Sequence, residues 1–116
     1  MRIVYLFLIL ISFSIQSQTL DYVFKSGEDG YKCFRIPTIL KSQNGTLLAF
    51  AEGRKNSCSD TGDIDLVLKK SFDNGETWSA LKVIWDDANN TCGNPSPVLD
   101  KNSGRISLLS TWNRGC

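Results

Sequence analysis

The chain contains no histidine, and that single absence removes several kinds of chemistry. A serine or cysteine nucleophile activated by imidazole cannot be assembled from these residues, nor can any histidine-ligated metal centre. Charge of one sign is also missing. Thirteen basic residues face twelve acidic ones, giving a net charge of +1, so no basic surface for nucleic acid and no acidic tail is expected. The four cysteines, Cys33, Cys58, Cys92 and Cys116, include no Cys-x-x-Cys pair, which argues against a zinc site. The spacing of Asp60, Asp63 and Asp65 fails the calcium-loop pattern. No metal and no cofactor are expected. Beyond residue 18 no segment has a helical period of useful length, so the fold is expected to be all-β.

The one long apolar run lies at the start. Arg2 is followed by Ile3 to Phe13, interrupted only by Tyr5 and Ser12, and Ile15-Gln16-Ser17 ends in a small residue. The run is too short to span a bilayer comfortably, so residues 1–17 read as a cleaved secretory signal and residues 18–116 as the mature part. A secreted, periplasmic or cell-surface location follows, with no stable membrane span. In an oxidising compartment the cysteines can form up to two disulfides, and three complete pairings are open. Cys58 with Cys92 is the preferred pair, because each precedes a motif assigned below to one cleft. Asn44-Gly45-Thr46 and Asn89-Asn90-Thr91 fit the glycosylation sequon, relevant only in a host that glycosylates.

Short strands and tight turns fill the remainder. Cys33 to Lys41 is apolar and β-branched, and Asn44-Gly45 is a strong hairpin signal because both residues tolerate positive φ. Thr46 to Glu52 returns as a second strand. A polar loop from Gly53 to Gly62 leads into a third strand, Asp63 to Lys70, and Asp73-Asn74-Gly75 turns into a fourth, Trp78 to Trp85. Pro97 to Leu99 and Ile106 to Thr111 flank a turn at Lys101 to Gly104, so the pattern begins again. Four successive antiparallel strands suggest a propeller blade, although a sandwich uses strands of the same spacing. On the propeller reading residues 18–116 supply one blade and part of a second, and the chain reads as an interrupted piece.

Ser71-Phe72-Asp73-Asn74-Gly75-Glu76-Thr77-Trp78 matches the Asp-box, Ser-x-Asp-x-Gly-x-Thr-Trp. Three further segments accompany it in order: Phe34-Arg35-Ile36-Pro37; Ala51-Glu52-Gly53-Arg54 with Asp60 six residues on; and Gly93-Asn94-Pro95-Ser96-Pro97. Together they resemble the exo-α-sialidase (neuraminidase) family of glycoside hydrolases over roughly residues 22 to 112. The resemblance implies the first blade, and the start of the second, of a six-bladed β-propeller. It implies sialylated glycoproteins, glycolipids or oligosaccharides as partners. Ser71, Asp73, Gly75, Thr77 and Trp78 would then be structural: Asp73 accepts N–H groups across the turn, Gly75 supplies positive φ and Trp78 packs the blade edge.

Each site residue follows from the same resemblance. Sialic acid carries a carboxylate on its anomeric carbon, and a planar guanidinium suits it. Arg35 matches the first of three such arginines. Arg54 would border the substrate near the sugar's hydroxyl at carbon 4. Asp60 would be the acid/base, protonating the leaving oxygen and later deprotonating water. Bound substrate would make it a competent acid by covering the site and bringing a second carboxylate. Asp63 and Asp65 are its nearby rivals. Asn94 would line the wall near the N-acetyl or hydroxyl groups. The family's tyrosine nucleophile, its glutamate partner and two further arginines match nothing in these residues, so the chain by itself is expected not to turn over. A non-catalytic glycan-binding propeller or sandwich is the competing reading, and pairing Arg35 with an aspartate-bearing loop argues against it.

Overall fold

The computed structural model describes residues 21–115; the signal segment expected at residues 1–17 and Cys116 lie outside them. Six strands form one open sheet: β1 (Cys33–Lys41), β2 (Leu47–Arg54), β3 (Ile64–Ser71), β4 (Lys82–Trp85), β5 (Thr91–Leu99) and β6 (Ile106–Asn113). The order is β1-β2-β3-β5-β6, with β4 also paired to β3. β1, β2, β3 and β4 are antiparallel to their neighbours in sequence. β5 joins the sheet through a parallel bridge, Ile64 to Thr91, and β6 returns antiparallel to β5. β3 thus shares one edge between two strands, β4 along its middle and β5 at its start.

The centre of the sheet lies where the sequence is most continuously apolar. Ala49, Phe50, Ala51, Ile64, Leu66, Val67 and Leu68 of β2 and β3 are buried, as expected for strands covered on both faces. Full burial of side chains such as Ile64 and Leu66 contributes about 1.5–3 kcal/mol each. Register separates the faces. Phe34, Gly53 and Asp65 lie opposite one another across β1, β2 and β3, on the face where Tyr31 packs with Ala51, Val67, Phe24, Phe34 and Leu81. Gly53 has no alternative there, since a Cβ would stand 2.7 Å from the Tyr31 ring. The next rank, Arg35, Glu52 and Leu66, points to the other face, because side chains alternate along a strand.

The two hairpins repeat one device. In β1–β2, Arg35 pairs with Glu52 but Thr38 pairs with Phe50; in β5–β6, Gly93 pairs with Thr111 but Ser96 with Leu109. Each first strand therefore carries one extra residue, a β-bulge. Each bulge also holds a residue at positive φ directly before a proline: Ile36 at 51° before Pro37, and Asn94 at 53° before Pro95. For the β-branched Ile36 this is a strained conformation, costing on the order of 1–3 kcal/mol.

Two strand boundaries differ from the expected ones. The fourth strand begins at Lys82 and not at Trp78, because Ser79 takes over the ladder. Its N–H donates to the Lys70 carbonyl at 2.8 Å and its Oγ accepts the Lys70 N–H at 3.0 Å. The fifth begins at Thr91, well before Pro97. Pro95 and Pro97 read as breakers in sequence, yet β5 pairs along its length only with β6, so a missing N–H can face an unpaired edge.

The turn at residues 71–77 is closed by side chains. Ser71 Oγ donates to Asp73 Oδ1 and accepts the Gly75 N–H, both at 2.8 Å. Thr77 donates its N–H to Asp73 Oδ1 at 2.9 Å and its hydroxyl to Oδ2. Gly75 adopts φ 98°, and Trp78 is half-buried. Hydrogen bonds from Thr77, then from Ser71, hold the Asp73 carboxyl down at about 2. Because the folded value lies below the ordinary one near 4, the turn is fully supported above about pH 4. That support is lost as pH falls through about 2. Amide protection factors at Gly75 and Thr77, measured against the intrinsic rate at each pH, should therefore fall across this window, and Asp73→Asn should show the low protection at neutral pH.

Candidate active site

On the face opposite the Tyr31 core, β1, β2 and β5 and the loop after β2 enclose an open cavity of about 280 Å³. Its lining includes Arg35, Glu52, Arg54, Asp60, Thr91 and Asn94. The four residues named from sequence as catalytic or substrate-binding thus stand around one space. Arg35 is exposed and enters no ion pair among the described residues. It precedes the strained Ile36-Pro37 bulge, which bends the strand and aims the side chain.

Arg54 is almost wholly enclosed, its side chain 3 % exposed. Nε and Nη2 donate to Glu52 Oε2 at 3.0 and 2.6 Å. Nη1 reaches the carbonyls of Cys58 and Ser59, both at 2.7 Å, and Asp60 Oδ1 at 2.8 Å. A guanidinium fits this duty because its donors form a rigid fork. Burial works against the Arg54 charge, but its hydrogen bonds to Glu52 and then to Asp60 outweigh it and raise its pKa. Arg54 therefore shapes the loop from within the protein while it also lines the cavity.

The loop carrying Asp60 is fastened along its length. Lys55 N–H donates to the Asp63 carbonyl at 3.1 Å and closes the base. Thr91 Oγ donates to the Gly62 carbonyl at 2.9 Å and accepts the Gly62 N–H at 3.2 Å. Cys58 forms a disulfide with Cys33 at the start of β1. The expected Cys58–Cys92 pair is corrected by this bond. Cys33 lies directly across from Arg54, so a chain leaving β2 at Arg54 turns back over it. Cys92 is fully buried in β5 opposite Trp112, without a disulfide partner among the described residues, and burial pushes its thiol up to about 11. The Cys33–Cys58 closure spans 25 residues, which in the chain-entropy model stabilises by about 3.5 kcal/mol. Cys33→Ala with Cys58→Ala should lower the denaturant midpoint accordingly and accelerate amide exchange from Asn56 to Gly62.

Asp60 itself stands out of this frame, its side chain 83 % exposed. Its rivals are spent elsewhere. Asp65 is 1 % exposed and accepts the Tyr31 hydroxyl at 2.6 Å, and Lys55 Nζ lies 3.2 Å from it. Asp63 is 3.0 Å from the same ammonium and Asp86 3.5 Å. Burial raises the Asp65 pKa against the pull of Tyr31 and Lys55. For Lys55 burial is likewise the largest influence, and it is overcome by the hydrogen bonds to Asp63 and Asp65. Tyr31 is pushed up by burial and by its bond to Asp65. The group is an ion cluster of one ammonium among three carboxylates, and none of the three lines the cavity.

Asn94 completes the wall. Its N–H donates to Glu52 Oε1 at 2.9 Å and its side-chain amide to Thr111 Oγ1 at 2.8 Å. Glu52 is the residue that sequence reading left without a role. It is 3 % exposed and bridges Arg54 to Asn94. The available signal was an acidic residue inside an apolar strand, two positions before an arginine and so on its face.

Among known proteins, the chain is 40 % identical over 92 residues to the exo-alpha-sialidase of Arthroderma benhamiae, covering 74 % of this chain and 22 % of that one. It is 39 % identical over 90 residues to the exo-alpha-sialidase of Aspergillus fumigatus, covering 72 % and 22 %. The sialidase of Paraclostridium sordellii is 37 % identical over 87 residues, covering 70 % and 21 %. Among solved structures, Hadza microbial sialidase Hz136 superposes with a TM-score of 0.70 at 26 % identity, over 78 % of this chain and 19 % of that chain. No protein-family model matches. The chain spans about a fifth of the length of the curated relatives it matches.

Proposed function

We propose that this chain, a sialidase-family fragment, supplies the first part of the active site of an exo-α-sialidase that removes terminal α-linked sialic acid from glycoconjugates with retention. The observation that carries the reading is the single cavity lined by Arg35, Arg54, Asp60 and Asn94, residues drawn from two hairpins and a loop. Arg35 receives the sugar carboxylate through its planar fork. Asp60, fastened at one oxygen and open to the cavity, gives its proton to the leaving glycan oxygen and then takes one from water. Asn94 contacts the sugar's N-acetyl or hydroxyl groups, and Arg54 holds the loop.

Architecture on this reading is a β-propeller, with β1 to β4 as its first blade and β5–β6 opening the second. The repeated bulge before Pro37 and Pro95 supports a repeating unit. Closing the propeller, and supplying the tyrosine nucleophile, its glutamate and the remaining arginines, falls to further chain. Residues 1–17 direct export. The test is release of the fluorophore from a 4-methylumbelliferyl α-sialoside. The complete protein should release it and these 116 residues alone should not. Tight glycan binding by the complete protein without release would assign it to the binding modules instead.

A further inference from the structure

We infer that Glu52 is the positioning residue of this site: it sets the acid/base loop and the Asn94 wall in one frame. The inference rests on the sialidase reading above. Both carboxylate oxygens of Glu52 are occupied, each toward a different part of the site. Oε2 accepts Nε and Nη2 of Arg54 at 3.0 and 2.6 Å, and Arg54 passes the constraint through Nη1 to Cys58, Ser59 and Asp60. Oε1 accepts the Asn94 N–H at 2.9 Å. One buried side chain therefore joins β2, the loop after it and the bulge of β5.

The surroundings are built around this carboxylate. Gly93, just before Asn94, leaves the space it occupies: a Cβ there would stand 2.7 Å from Oε1. Asn94 holds φ at 53°, which turns its N–H to Glu52 while its side chain meets Thr111. Glu52 is not itself a proton donor to substrate, because it is 3 % exposed and both oxygens are engaged. Its charge has a further consequence. The Arg54 guanidinium has a carboxylate partner inside the protein, Glu52, and exposed Asp60 is not its sole one. Removing the Glu52 carboxylate leaves Asp60 as the only carboxylate partner of Arg54, so the guanidinium loses the buried anchor from which it holds the loop and Asp60 in place.

The experiment compares Glu52→Gln and Gly93→Ala in the complete protein, assayed for release of sialic acid from a sialyl-oligosaccharide, whose leaving sugar oxygen needs the proton, well below the measured melting temperatures. Glu52→Gln preserves volume and removes the charge; Gly93→Ala leaves Glu52 in place and pushes it. Each should lower kcat by about 10–100-fold with KM within about threefold, as misplacement of a reacting group does. In an Asp60→Asn background Glu52→Gln should cost less than about threefold more, since its effect travels through Asp60. An unchanged kcat in Glu52→Gln, or an equal loss in both backgrounds, would overturn the inference. If the wild-type protein releases nothing, the sialidase reading falls, and the inference is then decided by amide NMR on the complete protein. Asp60 and Asn94 resonances shifting together in Glu52→Gln would uphold it, and either one staying unmoved would overturn it.

Discussion

Asp60→Asn in the complete protein is expected to lower kcat for α-sialoside hydrolysis by about 10²–10⁴-fold, the range for loss of a positioned general acid–base. Asparagine keeps the shape and can still accept from Arg54 Nη1, now 2.8 Å from Asp60 Oδ1. What it cannot do is carry the proton to the leaving oxygen. Little stability should be lost, because the Asp60 side chain is 83 % exposed and its ion pair is screened by solvent. Binding of sialic acid should survive for the same reason, since its carboxylate is assigned to Arg35. A substrate whose leaving group needs no protonation should recover much of the rate. Turnover by Asp60→Asn equal to wild type on a natural glycan would remove Asp60 from the reaction.

Arg54→Met carries the largest expected effect on folding. Here the damage comes from what is left behind. Glu52 is 3 % exposed and would lose its buried cation, and orphaning one partner of such a pair costs about 3–5 kcal/mol. The Cys58 and Ser59 carbonyls would lose their donors at the same time. Arg54→Met with Glu52→Gln should be less destabilised than Arg54→Met alone, because the uncompensated charge is then gone. Urea denaturation of the four proteins, read as a double-mutant cycle, measures this directly. Equal destabilisation of single and double variants would show that the ion pair is not what holds the loop. By contrast Arg35→Ala should barely change stability, since Arg35 is exposed.

The same contrast separates what could be read in the sequence from what could not. Turns announced themselves: Asn44-Gly45, the Ser71–Trp78 box and the Ser103-Gly104 pair mark chain reversals through local chemistry. β1 and its partner followed within a residue or two. Arg35, Asp60 and Asn94 were singled out by the motifs that carry the family resemblance, and the structure sets them around one cavity. Glu52 was harder to read, since its one signal, an acidic residue in an apolar strand two positions before an arginine, does not say what it binds. Only the register that sets it across from Arg35, and the arrival of Asn94 from β5, reveal its use. The disulfide was illegible for a related reason. Pairing depends on where a loop turns back, and Cys33 opposite Arg54 is a fact of sheet register. The expected strand began only at Pro97, whereas β5 starts at Thr91 and carries Pro95 and Pro97 within it, which an edge without ladder bonds tolerates. Arg54 was visible as a site residue, yet its burial and its work on the loop belong to the third dimension.

The most direct test of the account is the structure of the complete protein with a dehydrated sialic acid analogue bound. The account predicts the analogue in the cavity between Arg35, Asp60 and Asn94, its carboxylate held bidentately by Arg35 and Asp60 beside its anomeric carbon. An analogue bound elsewhere, with Arg35 left in solvent, would contradict it.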